Sequence, residues 1–298
     1  MDKVAFVGLG GMGGAMAGRL VQSFPLILYD LDSARATALA GTNGTAVGKL
    51  SDALPAGGVL ITMLPDDRAV RAVVDGSDGA RALLGRGGLH INMSTVSPAM
   101  SRDLGAAYAD AGADYVAAPV WGRPDMAGSG KLVCALAGPA AAKVRALPYL
   151  HALAARIEDF GIDPGLANVA KVMGNFLVAA AIEALGEAMA VAQKHGLDRE
   201  QLAALLTETV FDCPVYRLYG GLVARQRRVP PGFTARLGHK DLALVRAVAT
   251  EVDAAMPFQN IIENRLLTSI ARGRDAEDWS ALSWVAAEDA GLARPVTT

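Results

Sequence analysis

The 298-residue chain contains only two cysteines, Cys134 and Cys213, and four histidines, His90, His151, His195 and His239. None of them recurs at metal-ligand spacing, which excludes a disulfide framework and a zinc site and makes a reducing cytoplasm the expected compartment. Aromatic residues are scarce at 5%, so the core must rest on aliphatic side chains and on close packing of helices through the abundant Ala and Gly. Neither sign of charge prevails: the formal net charge is -2 and the pI about 6.1. With one short basic cluster, Arg225, Arg227 and Arg228, no field for nucleic acid is built. The opening run MDKVAFVGLG is too short for a signal-peptide core and goes straight into a glycine motif. A long apolar stretch, Val169 to Val191, is interrupted by Lys171, Asn175, Glu183 and Glu187, and so predicts a buried helix rather than a membrane span.

What is present is an alternation. Short apolar runs at Val4 to Gly8, Leu26 to Tyr29, Val59 to Met63, His90 to Met93, Asp114 to Ala118 and Leu132 to Ala137 are separated by helical patterns. They predict βαβ units and a doubly wound, mostly parallel α/β sheet. Past Asp159 helical periodicity takes over, which predicts an all-α C-terminal domain. The boundary falls at 162/163, giving domains 1–162 and 163–298, where Asp163 can cap a helix and Pro164 suits its first turn. That helix runs towards Lys194, with His195 and Gly196 as its stop. At about 1.5 Å per residue, about 30 residues make a rod on the order of 45 Å. Further helices are expected at Arg199 to Thr209, Val215 to Arg227, Leu237 to Ala254, Phe258 to Ala271 and Trp279 to Ala290.

The first strand leads into Gly8-Leu9-Gly10-Gly11-Met12-Gly13, a GxGxxG at a strand-to-helix junction. Gly8 permits the tight turn, Gly10 lets a pyrophosphate approach the backbone, and Gly13 permits close helix packing; the helix N-terminus offers N–H groups to the anion. An ordinary α/β turn, or another nucleotide such as S-adenosylmethionine, is the competing reading. A second marker lies at the end of the second strand, where Asp30 can accept hydrogen bonds from an adenosine ribose. Its carboxylate repels a 2′-phosphate and Leu31 supplies no guanidinium, so NAD is expected over NADP, with Arg35 the feature that keeps NADP possible.

These residues, with four further segments, resemble the β-hydroxyacid dehydrogenase family, relatives of 6-phosphogluconate and 3-hydroxyisobutyrate dehydrogenases. Val7 to Gly13 is similar to its opening motif and Met63-Leu64-Pro65-Asp66 to its loop beside the cofactor. Asn92-Met93-Ser94-Thr95-Val96-Ser97-Pro98 resembles its STVSP segment. Gly165 through Lys171 to Asn175 matches its GxxxxxKxxxN helix, and His239-Lys240-Asp241-Leu242 its KDL motif. The resemblance spans nearly the whole chain. It implies an N-terminal Rossmann domain, a helical C-terminal domain, a site between them, and a homodimer or homotetramer through the helices. One segment departs: where the family generally reads DAPVSGG, this chain reads Ala117-Ala118-Pro119-Val120-Trp121-Gly122-Arg123, so the usual carboxylate cradle is altered.

The resemblance implies cofactor contacts from Gly8 to Gly13, Asp30, Leu31, Met63, Leu64, Pro65, Thr95, Phe233 and Lys240, substrate contacts from Ser94, Trp121, Gly122 and Arg123, and catalysis by Lys171 and Asn175. Lys171 and Asn175 are four apart and share one helix face, with Gly174 leaving room for a neighbour. A lysine near its ordinary pKa of ~10.4 is a poor base, so desolvation or a nearby cation is expected to tune it. The expected reaction is hydride transfer between NAD(H) and a small β-hydroxy acid or its aldehyde, with Lys171 as general acid and base. Imine reduction on the same scaffold and a non-catalytic coenzyme-binding regulator are the alternatives; a retained Lys171 favours carbonyl chemistry over both. No metal is expected.

Overall fold

The computed structural model describes residues 4–41 and 43–293. The chain divides into two compact units at Lys171 and Val172. The first alternates β1 (Val4–Val7), α1 (Gly11–Leu20), β2 (Leu26–Tyr29), α2 (Ser33–Leu39), β3 (Gly44–Ala46), α3 (Leu50–Ala53), β4 (Val59–Thr62), α4 (Asp67–Val74), α5 (Ala80–Leu84), β5 (Leu89–Asn92), α6 (Pro98–Asp110) and β6 (Asp114–Ala117). The six strands form one parallel sheet in the order β3-β2-β1-β4-β5-β6. Val4 pairs with Leu26 on one side and Val59 on the other. The strand order reverses direction beside β1 and β4, and their carboxyl ends are where doubly wound sheets bind ligands.

The apolar runs of β1 and β4 are buried throughout because helices cover both faces. Successive side chains point to opposite faces. Accordingly Val4, Phe6, Val59 and Ile61 enter one core, while Ala5, Val7 and Leu60 enter the other.

Downstream, β7 (Val120–Trp121), α7 (Pro124–Gly128), β8 (Leu132–Leu136), α8 (Ala140–Leu153) and β9 (Ala154–Asp159) follow. Here the structure corrects the sequence reading. The run at Leu132 does not extend the parallel sheet but is the centre of a separate sheet, β7-β8-β9, antiparallel to β7 and parallel to β9. The sequence reading missed β9 because most of AARIED is exposed and carries no apolar alternation. It missed β3 because three residues, Gly-Thr-Ala, are too few to show a period.

The long helix α9 (Pro164–Lys194) has 31 residues. It is long and apolar enough to cross a membrane by length and composition, but 56% of its most apolar window is buried inside the protein. Asp163 accepts a hydrogen bond from the Gly165 N–H at 2.9 Å at its start, and Gly196, at φ +84°, follows its end. The division at 171/172 lies beyond the expected 162/163, for a packing reason. Ala167 and Ala170 pack into the second sheet core and Asn168 bonds Ser101, so the first turns of α9 belong with the sheet.

The second unit continues α9 and adds α10 (Arg199–Glu208), α11 (Pro214–Arg225), α12 (Ala235–Glu251), α13 (Pro257–Ala271) and α14 (Ser283–Asp289). The single helix expected from Trp279 to Ala290 is instead a 3-10 turn, Trp279–Leu282, followed by α14. Asp278 caps that turn by accepting from the Ser280 N–H. The core gathers Ile182, Leu185, Met189, Leu242, Leu266 and Trp279.

Candidate active site

The glycine loop closes the carboxyl end of β1. Gly8 sits at φ +94°, and a Cβ there would lie 2.5 Å from the Met63 carbonyl oxygen. A Cβ at Gly13 would collide with the Gly8 carbonyl oxygen. Both positions are therefore closed to any side chain. Gly10 differs: the nearest atom to a Cβ there is an Arg35 nitrogen at 3.8 Å, so its outer face is open to an approaching group. Leu9 is buried, and Met12 packs on the adjoining core. The loop thus combines a locked turn, an open approach and the N-terminus of α1, the features a pyrophosphate requires.

Asp30, at the end of β2, holds this loop: one carboxylate oxygen accepts from the Leu9 N–H at 2.6 Å and the other from the Asp32 N–H at 2.9 Å. The Arg35 guanidinium lies 3.8 Å from Asp30 and 3.3 Å from Asp32. Leu31 projects almost wholly into solvent.

Two more loops are tied together beside it. The Leu64 N–H donates to the Ser94 hydroxyl at 2.9 Å. Asp67 accepts from both the N–H and the hydroxyl of Ser97, at 2.9 and 2.5 Å. The helix cap in this segment is Ser97, which accepts from the Met100 N–H with Pro98 in the first turn. Ser94 is fully buried, Thr95 only half-buried, and Pro65 is exposed.

Behind these loops runs a buried chain of uncharged polar groups. Thr62 donates its hydroxyl proton to Asn92 Oδ1 at 3.1 Å, so the 2.9 Å contact between Thr62 and His90 requires His90 Nε2 to carry a proton. Asn92 Oδ1 also accepts from the Ser94 N–H, and its amide donates to the Tyr115 hydroxyl at 3.1 Å. Tyr115 shares a proton with Ser101 at 3.0 Å, and Asn168 on α9 donates to Ser101 at 2.7 Å. The chain thus joins β4, β5, β6 and α6 to the turn of α9 that precedes Lys171. Burial drives the His90 pKa down to about 3 and pushes the Tyr115 hydroxyl up to about 12.

Lys171 is itself buried, 7% exposed, and among the described residues it is the one formally charged side chain buried in the sheet unit. Its ammonium stands 5.2 Å from the centroid of the Trp121 ring. Trp121 is placed by β7, opposite Val133 of β8. Gly122 follows at φ +140°, with Leu132 packed where its side chain would be. Arg123 then occupies the N-cap position of α7, and Pro124 at its first turn comes within 4.0 Å of a Cβ on Gly11. The glycine loop, the tied loops, Trp121 to Arg123 and Lys171 therefore all belong to one unit.

In the helical unit, Asn175 is buried, and its amide donates to Asp241 Oδ2 at 2.5 Å. Lys240 pairs with Asp241 Oδ1 at 2.8 Å. Phe233 packs its ring against Trp279, centroids 4.9 Å apart. Asp241 was missed as a site residue. The signal was there: it shares a helix face with Gly238, Leu242 and Val245, all buried, and a carboxylate on an apolar face must have a partner. Asp67 was missed too, since next to Asp66, the cap of α4, it passes for an ordinary first-turn acid.

Comparison with known proteins divides the chain near the start of α9. Residues 3–161 match the NAD binding domain of 6-phosphogluconate dehydrogenase, and residues 165–285 match the NAD-binding domain of NADP-dependent 3-hydroxyisobutyrate dehydrogenase. An uncharacterized oxidoreductase of Bacillus subtilis is 37% identical over 94% of this chain and 98% of its own length. The 3-hydroxyisobutyrate dehydrogenase of Pseudomonas aeruginosa is 31% identical over 93% and 94%. A crystal structure of 3-hydroxyisobutyrate dehydrogenase from Salmonella typhimurium superposes with a TM-score of 0.85 at 25% identity, covering 96% of this chain and all of that one.

Proposed function

Since the chain belongs to the β-hydroxyacid dehydrogenase family, with NAD(P)-binding domains and oxidoreductases among its relatives, we propose that it interconverts a small β-hydroxy acid and its aldehyde, using Lys171 as proton donor and acceptor. The observation that carries this reading is the burial of Lys171 in a unit whose other buried polar side chains, among the described residues, are all neutral. A desolvated charge is costly to keep unless it serves a purpose, and such groups cluster at functional sites.

The bound nicotinamide would supply or accept the hydride. Residues Gly8 to Gly13, Asp30 and the Met63 to Pro65 loop would hold the coenzyme, with the open face of Gly10 receiving its pyrophosphate. NAD is favoured. The Asp30 carboxylate opposes a 2′-phosphate, Leu31 offers no donor, and the Arg35 charge is already matched by Asp30 and Asp32. In the reductive direction Lys171 stabilises the growing negative charge on the substrate oxygen and gives it a proton; in oxidation it takes that proton back. Asn175, one turn on, is oriented by Asp241 and positions the substrate hydroxyl. Ser94, whose oxygen already accepts from Leu64, keeps a proton with which to reach substrate, and Arg123 is the cation for a carboxylate.

The test is a panel of β-hydroxy acids, aldehydes and cyclic imines with NAD(H) and NADP(H), followed by nicotinamide absorbance for the native protein and Lys171→Ala. Lys171→Ala is expected to lower kcat by about a hundredfold or more while coenzyme affinity is kept, within the range of a lost general acid. Near-native aldehyde turnover in Lys171→Ala, or turnover of imines alone, overturns the reading.

A further inference from the structure

We propose that Trp121 is the specificity-determining residue of this site: its indole face holds the Lys171 ammonium in place and favours substrates whose reacting carbon carries a hydrocarbon group rather than a carboxylate. The inference deepens the reading of Lys171 as proton donor and rests on it.

The geometry supplies the argument. An indole face carries the negative side of the ring quadrupole, so a cation at 5.2 Å from its centroid is attracted. The attraction is strengthened here because Lys171 is buried. The strand pairing of Trp121 with Val133, and a Gly122 whose positive φ and Leu132 contact admit no side chain, fix the backbone on either side of it. The indole also packs against the second sheet core, to which Ala167 and Ala170 of α9 contribute. The indole thus lies by the ammonium and packs on the same core that the first turns of α9 enter.

Trp121 keeps part of its surface exposed. A carbonyl oxygen within hydrogen-bond reach of Lys171 Nζ brings its reacting carbon, and the substituent on that carbon, up to the indole. The face that attracts the ammonium repels an anion and loses nothing when it is covered by hydrocarbon. A carboxylate directly on the reacting carbon is therefore disfavoured, whereas one held further along a hydrocarbon chain is not.

The test compares Trp121→Ser, Trp121→Leu and Trp121→Phe with glyoxylate, whose carboxylate sits on the reacting carbon, and with isobutyraldehyde and succinic semialdehyde, whose reacting carbons carry hydrocarbon. The native protein is expected to prefer the latter two in kcat/KM. In Trp121→Ser and Trp121→Leu kcat should fall about tenfold, within the range of a desolvated cation–π contact. In Trp121→Ser the kcat/KM ratio should also move about tenfold towards glyoxylate, while Trp121→Phe, which keeps a π face, stays within about threefold of native kcat. An unchanged substrate ratio in Trp121→Ser, or a loss in Trp121→Phe as large as in Trp121→Leu, overturns the proposal. A second measurement is independent of turnover: Trp121→Leu and Lys171→Met, singly and together, are compared by urea midpoint. Non-additive losses support the contact, and additive ones overturn it. Should Lys171→Ala stay active while this cycle still shows coupling, the proton-donor reading falls and the contact stands.

Discussion

The two units bury their polar side chains in opposite ways. In the sheet unit Thr62, His90, Asn92, Ser94, Ser101 and Asn168 are neutral and bonded to one another or to Tyr115, and Lys171 is the one buried formal charge among the described residues. In the helical unit the buried groups include Glu183, Arg199, Asp241, Glu263 and Arg274, each met by an opposite charge or by carbonyl oxygens. Neutral networks fix geometry at little electrostatic cost, whereas buried charges tie the stability of their surroundings to pH. The lesson is that a buried formal charge is unexceptional in the helical unit and anomalous in the sheet unit, which is the ground on which Lys171 is proposed as the proton donor.

The strongest way to break this contrast is acid. Thr62 commits its proton to Asn92, so His90 must be protonated at Nε2, and its Nδ1 is buried with no hydrogen-bond partner. A second proton would therefore be buried without an acceptor. The folded pKa near 3 lies below the ordinary 6.5, so the unfolded chain binds the proton more readily between those values. Stability of the sheet unit is full above pH 6.5 and is lost as pH falls towards 3, by about 5 kcal/mol across the whole window. Hydrogen exchange of β4 and β5 amides should show this fall, and His90→Leu should flatten it. An equal acid slope in His90→Leu would move the sensitivity elsewhere. Asp159, held low by hydrogen bonds from Lys143, acts only below the ordinary 3.8.

The helical unit should respond with the opposite sign. Burial pushes Glu183 up to about 7 despite Arg265 at 2.8 Å, and its second oxygen has no hydrogen-bond partner. Here the folded state holds the proton more tightly than the unfolded chain. The stability so gained is complete below pH 4.5 and disappears as pH rises through 7, by about 3 kcal/mol. Glu288, which the Arg274 and Arg272 guanidinium groups hold low despite its burial, titrates below that window. Protection factors of α9 and α13 amides should fall between pH 4.5 and 7 while those of β4 and β5 rise. Glu183→Gln should remove the alkaline fall, and parallel profiles in the two units would refute the contrast.

Much of the site was legible in the sequence because its residues obey local rules. Gly8 and Gly13 stand where a turn and a close approach admit no side chain, and Asp30 stands one strand later at the sheet's edge of the loop. Asp163 and Pro164 announced the start of α9. What escaped notice depended on contacts distant in the chain. Strand β9 hides in the mostly exposed AARIED, the apolar run of β8 gives no sign of which sheet it joins, and Asp67 reads as an ordinary helix start until Ser97 is brought against it from 30 positions away. The contact of Trp121 with Lys171 joins β7 to α9, far apart in the chain, and no periodicity records it. The first compact unit reaches past the expected 162/163 to Lys171 because capping signals mark where a helix begins, not which core its first turns enter.

The smallest expected effect probes the neutral chain itself. Tyr115 receives a hydrogen bond from Asn92 and shares one with Ser101, which in turn receives Asn168. Tyr115→Phe keeps the ring, its edge-on contact with His90 and its stacking on Tyr108, but leaves the Asn92 amide without its acceptor. Removing one member of a buried pair costs about 1–3 kcal/mol, and here Ser101 can turn its proton elsewhere, which favours the lower end. Because no charge is involved, the loss in urea midpoint should be the same at pH 5 and pH 8. A loss that grows towards either end would show that the Tyr115 hydroxyl is coupled to the titration of a group such as His90, and the neutral character assigned to its bonds would fall with it. The argument from the burial of Lys171 in a unit of otherwise neutral buried side chains would weaken in proportion.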